Sequence, residues 1–66
     1  MEFNGQKIKT LREERGFTMS ALAEKLGPTF KRQNIYAYEH GVCAPRASTL
    51  GKIAEVFGVD VHSFFE

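Results

Sequence analysis

Apolar positions recur along this chain at helical spacing, and nowhere do they alternate with polar ones for long enough to draw a strand. Six glycines divide the pattern, and those at 16, 27, 41 and 58 each close a segment as a helix C-terminal cap would. The pattern predicts five short helices. The first runs from about Gln6 to Arg15, with Asn4 as N-cap and Ile8 and Leu11 facing inward. The second follows Thr18, a good N-cap, to about Leu26, and its apolar face is Leu22, Ala23 and Leu26. The third lies between Pro28 and Gly41, with Ile35 and Tyr38 pointing one way. The fourth lies between Pro45 and Phe57, and Leu50, Ile53, Ala54 and Phe57 give it the cleanest stripe in the chain. A short fifth helix starts at Asp60 as N-cap and runs through Phe65.

The joint between the second and third helices is brief and contains glycine, which makes the two helices cross steeply instead of lying antiparallel. That is a helix-turn-helix geometry inside an all-α, compact bundle of five short helices. Its expected core is Ile8, Leu11, Phe17, Leu22, Ala23, Leu26, Ile35, Tyr38, Val42, Leu50, Ile53, Ala54, Phe57, Val59 and Phe64.

Length and composition narrow the function. Sixty-six residues make one domain, 1–66, which buries only roughly 60% of its unfolded surface. A single cysteine, Cys43, permits neither an internal disulfide nor a cysteine-based zinc site, and suits a reducing cytoplasm. His40 and His62 are too far apart in the chain to show metal-ligand spacing. No apolar run approaches the ~20 residues that span a bilayer, and no signal peptide is visible. No nucleophile–base pair, glycine-rich phosphate loop or paired-carboxylate site points to an enzyme, and no cofactor, metal or small-molecule ligand is suggested. A net charge of +1 is low for a nucleic-acid partner, but it is unevenly spread. Residues 25–46 carry Lys25, Lys31, Arg32 and Arg46 against Glu39, a balance of +3, while five basic and seven acidic residues elsewhere make −2. The chain therefore has a basic segment on a mildly acidic body.

At this point the residues carry a resemblance. The segments IKTLREERGFT, ALAEKLG, RQNIYAYEHG, AP followed by TLGKIAEVFGV, and a closing SFF occur in order. The chain resembles the phage repressor/Cro (XRE-type) helix-turn-helix domain, over nearly its whole length, and so a lambda-repressor-like fold is expected. The resemblance implies a sequence-specific DNA-binding transcriptional regulator that places its third helix in the major groove of double-stranded DNA and binds a palindromic operator as a homodimer. By position it makes Arg32, Gln33 and Ala37 base readers, with Tyr36 beside them reaching a base or a phosphate. Arginine can hold guanine O6 and N7, glutamine can pair with adenine, and Ala37 can touch only a thymine methyl. Thr18, Asn34, His40 and Arg46 become phosphate contacts, with Lys31 added on charge, and Thr18 can cap its helix at the same time. Arg12 and Glu39 match a family ion pair that ties the first helix to the third.

Two positions depart from the family. Met19 stands where a phosphate-binding glutamine is usual, and it packs either on a thymine methyl or sugar or over the core edge. The run LGPTFK before Arg32 is about two residues longer than usual. Either the turn bulges, or the third helix starts earlier with Thr29 as N-cap, Phe30 on the core and Lys31 in its first turn; Phe30 is too apolar for solvent, which favours the second. The surface left for dimerisation is the C-terminal helix, with Val61, Phe64 and Phe65: one phenylalanine closes the core and the other is exposed, or wraps over it. With the chain ending at FFE, no effector domain is expected; small single-domain members of the family include phage repressors, restriction–modification controllers and antitoxins, which the sequence does not separate. A rival function is a protein-interaction module, an adaptor or antitoxin-like partner on the same fold with weak or no DNA binding, which Met19, the low net charge and an exposed Phe65 favour.

Overall fold

Side-chain and glycine caps divide residues 2–65, the part described by a computed structural model, into four α-helices and one 3-10 turn. The helices are α1 (Gln6–Glu14), α2 (Met19–Leu26), α3 (Arg32–Glu39) and α4 (Ala47–Phe57), and the 3-10 turn is Val61–Phe64. No strand forms among the described residues beyond an isolated antiparallel bridge between Phe3 and Phe65. The N-cap of α1 is Gly5 and not Asn4 as expected, although Asn4 Oδ1, one residue earlier, still accepts the Gln6 N–H at 3.0 Å; Thr18 is the N-cap of α2, and its Oγ1 accepts the Ala21 N–H at 3.0 Å. Each side chain satisfies an amide that has no carbonyl partner of its own.

Three helices end in the same six-residue motif. Phe17 N–H reaches Arg12 O, Val42 N–H reaches Ala37 O and Val59 N–H reaches Ala54 O, each at 3.0 Å and each one residue past a glycine of positive φ. This motif lays the residue after the glycine beside the one five positions back. Arg12 and Ala54 are buried, so Phe17 and Val59 pack against the core. Ala37 lies toward the outside of α3, so Val42 is carried outward and is 73% exposed. The expectation of Val42 in the core is therefore corrected: its cap geometry, and not its apolarity, places it.

Two further expectations change. The fifth helix is only a single 3-10 turn, giving four α-helices instead of five, because the run from Asp60 is too short to propagate an α-helix. Asp60 does cap it, accepting the His62 N–H at 2.8 Å, and that bond holds the Asp60 carboxyl below the usual carboxylate range. Phe65 leaves the turn in extended conformation. The third helix begins at Arg32, and Thr29 is an exposed turn residue, not its N-cap. Lys31 sits at the N-cap position, outside the first turn, because its N–H donates to Asn34 Oδ1 at 2.7 Å. The turn bulges to take the extra residues. Phe30 N–H bonds back to Gly27 O at 3.2 Å, and the Phe30 ring, half-buried, packs against the core.

The core centres on Ile8, Leu22, Ile35, Ile53 and Phe64, each fully buried, and brings α3 against α1 and α2, α4 against α2, and the 3-10 turn against α1 and α4. Phe17 stacks on Phe57 with centroids 6.1 Å apart. Gly5 is buried where the N-terminal segment crosses the end of α3. A Cβ there would collide with the Tyr38 carbonyl oxygen and lie 3.1 Å from that of Glu39.

Candidate nucleic-acid interface

The eight residues of α3 divide cleanly by face. Ile35, Tyr38 and Glu39 point inward and are buried. Gln33, Tyr36, Ala37 and His40 recur at the spacing of one outward stripe, with Arg32 and Asn34 on its flanks. All of these are exposed except Ala37, which is half-buried. Tyr36 and His40 stack with centroids 4.0 Å apart and planes 22° apart, so the Tyr36 ring is held against its own helix while half its surface stays open.

The inward side is fastened by charge as well as by packing. Arg12 Nε donates to Glu39 Oε2 at 2.7 Å and Arg12 Nη2 to Glu39 Oε1 at 3.2 Å, a two-pronged pair buried between α1 and α3. Arg12 Nη1 also donates to Phe17 O at 3.0 Å, joining the α1–α2 turn to the same unit. The Glu39 hydrogen bond holds the Arg12 guanidinium pKa above its usual value, against the opposing effect of burial. The pair fixes the end of α3 relative to α1 and thereby fixes where the outward stripe points.

The other candidate residues lie around α3. Thr18 is exposed at the start of α2, and Arg46 is exposed at the start of α4, which no side chain caps. Lys31 and Asn34 are joined by the cap bond, which occupies the Asn34 carboxamide oxygen and leaves its NH2 to donate. Met19 is half-buried against the core, so it covers the core edge. At the opposite end, the C-terminal trio separates. Phe64 closes the core with no exposed surface, Phe65 is half-buried with its ring edge-on to Phe3 at 6.1 Å, and Val61 is 37% exposed. Phe65 is thus not the exposed phenylalanine of the sequence expectation, because the chain ends pair across the Phe3–Phe65 bridge.

Two features had no signal in the sequence pattern. Arg15 Nη2 donates to Phe57 O at 2.8 Å while its guanidinium lies 5.5 Å from the Phe57 ring centroid, so it serves the last carbonyl of α4 from the far end of α1. A groove also opens between the α2–α3 turn, α3 and the start of α4, lined by Thr29, Phe30, Tyr38, Cys43, Ala44, Arg46 and Thr49. Among the described residues, no helix is long and apolar enough to cross a membrane, and no cluster of His, Cys, Asp and Glu is placed to hold a metal ion.

Comparison with known proteins places this geometry among others. A model of the family described as Helix-turn-helix matches residues 8–64. The HTH-type transcriptional regulator RamB of Mycobacterium tuberculosis, in both strain CDC 1551 / Oshkosh and strain ATCC 25618 / H37Rv, is 40% identical over 62 residues. That match covers 91% of this chain but only 12% of RamB, so the chain spans a small part of the length of the curated relatives it matches. Among solved structures, SinR, the master regulator for biofilm formation, in complex with DNA, superposes with a TM-score of 0.81 at 32% identity, over 94% of this chain and 97% of that one. A SinR protein/SinI protein complex gives the same score and identity over 59% of its chain. Hydroxypropylphosphonic acid epoxidase from S. wedmorenis gives 0.79 at 26% identity, over 91% of this chain and 31% of that one.

Proposed function

The chain belongs to the helix-turn-helix family, of the XRE type, and from that premise we propose that it is the sequence-specific DNA-binding part of a transcriptional regulator. The observation that carries this is the α3 outward stripe, polar and exposed on one face and locked on the other by Ile35, Tyr38 and the Arg12–Glu39 pair. A helix so held can enter the major groove with its base-reading side chains already oriented. Arg32 offers a fork to guanine O6 and N7, Gln33 pairs with adenine, and Ala37 meets a thymine methyl with Tyr36 beside it. Each good bidentate pair is worth about 1–3 kcal/mol of discrimination. Thr18, Lys31, Asn34, His40 and Arg46 contact phosphates and set the register of the helix in the groove. The likeness to SinR in complex with DNA supports the same use of the fold.

One such domain reads about 4–6 base pairs, so a homodimer on a palindrome, with half-sites roughly one helical turn apart, supplies the remaining specificity. Its surface is the C-terminal one, now reduced to Val61 and the open edge of Phe65. Selecting duplexes from a random pool with the purified protein tests the proposal and yields the operator. On that operator Arg32→Ala relaxes base preference at one position, whereas Arg46→Ala weakens specific and random DNA alike. Equal loss on both DNAs for Arg32→Ala removes the base-reading role. The interaction-module alternative is favoured by the likeness to the SinR/SinI complex and by the exposed Val61; absence of duplex binding at low salt would select it.

A further inference from the structure

The outward face of α3 changes character along its length. Its first turn carries the hydrogen-bonding groups of Arg32, Gln33 and Asn34. Its last turn does not. Tyr36 and His40 face one another ring to ring, with centroids 4.0 Å apart and planes 22° apart, so each covers a face of the other. Ala37, beside Tyr36, has only a methyl to offer. Val42 joins them from outside the helix. Its N–H is held by the Ala37 carbonyl at 3.0 Å, one residue past Gly41 at φ 73°, and that closure sets an apolar side chain after the glycine beside the Ala37 turn. Val42 at 73% and Tyr36 at 50% are the two most exposed large apolar side chains among the described residues. Single exposed apolar residues are ordinary, but these two lie at one end of one helix, on the side that faces away from the core.

The base edges in the major groove present one apolar group, the C5 methyl of thymine, and cytosine gains the same group when it is methylated. An apolar patch that enters the groove with α3 either meets such a methyl or covers polar base edges and leaves them without partners. We propose that Val42 is a specificity-determining residue that, with Ala37 and Tyr36, reads a pyrimidine 5-methyl group, and that His40 is a positioning residue that holds the Tyr36 ring for this contact. The stack orders the Tyr36 ring before DNA arrives, so less rotamer freedom is lost on binding. It engages the flat face of the imidazole, and a ring N–H at the edge can still donate to a phosphate. The first turn of α3 then reads hydrogen-bonding edges, and the last turn with its cap reads methyls.

The inference rests on the DNA-binding reading, and the test separates the two. Replacing thymine by deoxyuridine removes the methyl and nothing else. At one thymine of the selected half-site, the full chain is expected to bind the deoxyuridine duplex about fourfold more weakly, the worth of one buried methyl. Cytosine and 5-methylcytosine at that place are expected to differ by a similar factor. Val42 is exposed, so Val42→Ser keeps the fold, and it is expected to narrow the thymine-to-deoxyuridine ratio. Equal weakening on both duplexes, with the ratio kept, removes Val42 from methyl reading. His40→Ala is expected to narrow the ratio as well, and His40→Phe, which keeps a ring to stack on, to restore it. A ratio that stays at its wild-type value in His40→Ala, or that His40→Phe does not restore, ends the positioning role. If wild type binds duplex and ignores deoxyuridine at every thymine, methyl reading falls while the DNA-binding reading stands. If wild type binds no duplex at low salt, both fall.

Discussion

At the scale of single residues, the molecule depends on a few contacts that join segments far apart in the chain. Glu39 has no exposed side-chain surface and meets Arg12 across 27 positions. Arg12→Met leaves a buried carboxylate without its partner, and a loss of about 3–5 kcal/mol is expected in chemical denaturation. A double variant with both groups made apolar should recover part of it; if it loses as much again, the pair does not act as one unit. Gly5 is a second such position. Gly5→Ala puts a methyl into the Tyr38 carbonyl, so either the N-terminal segment or the end of α3 must shift, at about 1–3 kcal/mol of stability. An unchanged denaturation midpoint would mean that the segment moves aside freely. The pairing of Arg12 with Glu39 was legible only because the segments LR and YEHG carry a family resemblance; spacing alone joins nothing across α1 and α3. The Gly5 contact had no such signal, since a glycine before a helix looks alike whether its surroundings are open or closed.

At the scale of elements, caps decide where helices begin and end, and they explain both the agreements and the departures. Thr18 starts α2 as its sequence suggests, because its hydroxyl reaches Ala21 N–H. Thr18→Ala is expected to cost about 1 kcal/mol in stability, seen as a lower midpoint at unchanged m-value. A fall in DNA affinity beyond what the unfolded fraction explains would reveal its phosphate contact separately. The start of α3 was not legible in the same way. Thr29 stood as the N-cap with Lys31 in the first turn, but Asn34, reaching back to Lys31 N–H, sets the cap at Lys31. Residue type pointed to Thr29, and the deciding bond is made by a residue three positions beyond Lys31. Val42 shows the same limit: its apolarity suggested burial, and the cap after α3 sets it beside outward-facing Ala37.

At the scale of the whole molecule, the charge asymmetry sets how DNA binding should respond to salt. The basic surplus lies in residues 25–46, and its lysines and arginines are few. A slope of log affinity against log salt of about −2 to −4 per protomer is expected, with Arg46→Ala reducing its magnitude by about 1. A much steeper slope would require cationic contacts outside α3 and the start of α4. The same count means that affinity leans on base contacts and on pairing of two protomers, more than on nonspecific attraction.

By itself the sequence determined the four α-helices, with a fifth expected that is only a 3-10 turn, because periodicity, glycine breaks and Thr18 act within a few residues of one another. It also determined the family, and through it the helix that carries the polar stripe. Only the tertiary structure decided which distant segments meet around it: Phe64 sealed in the core, Phe65 drawn onto Phe3, and Arg15 carried to the Phe57 carbonyl. Those outcomes join residues far apart in the chain, and no local pattern of apolar and polar residues specifies them.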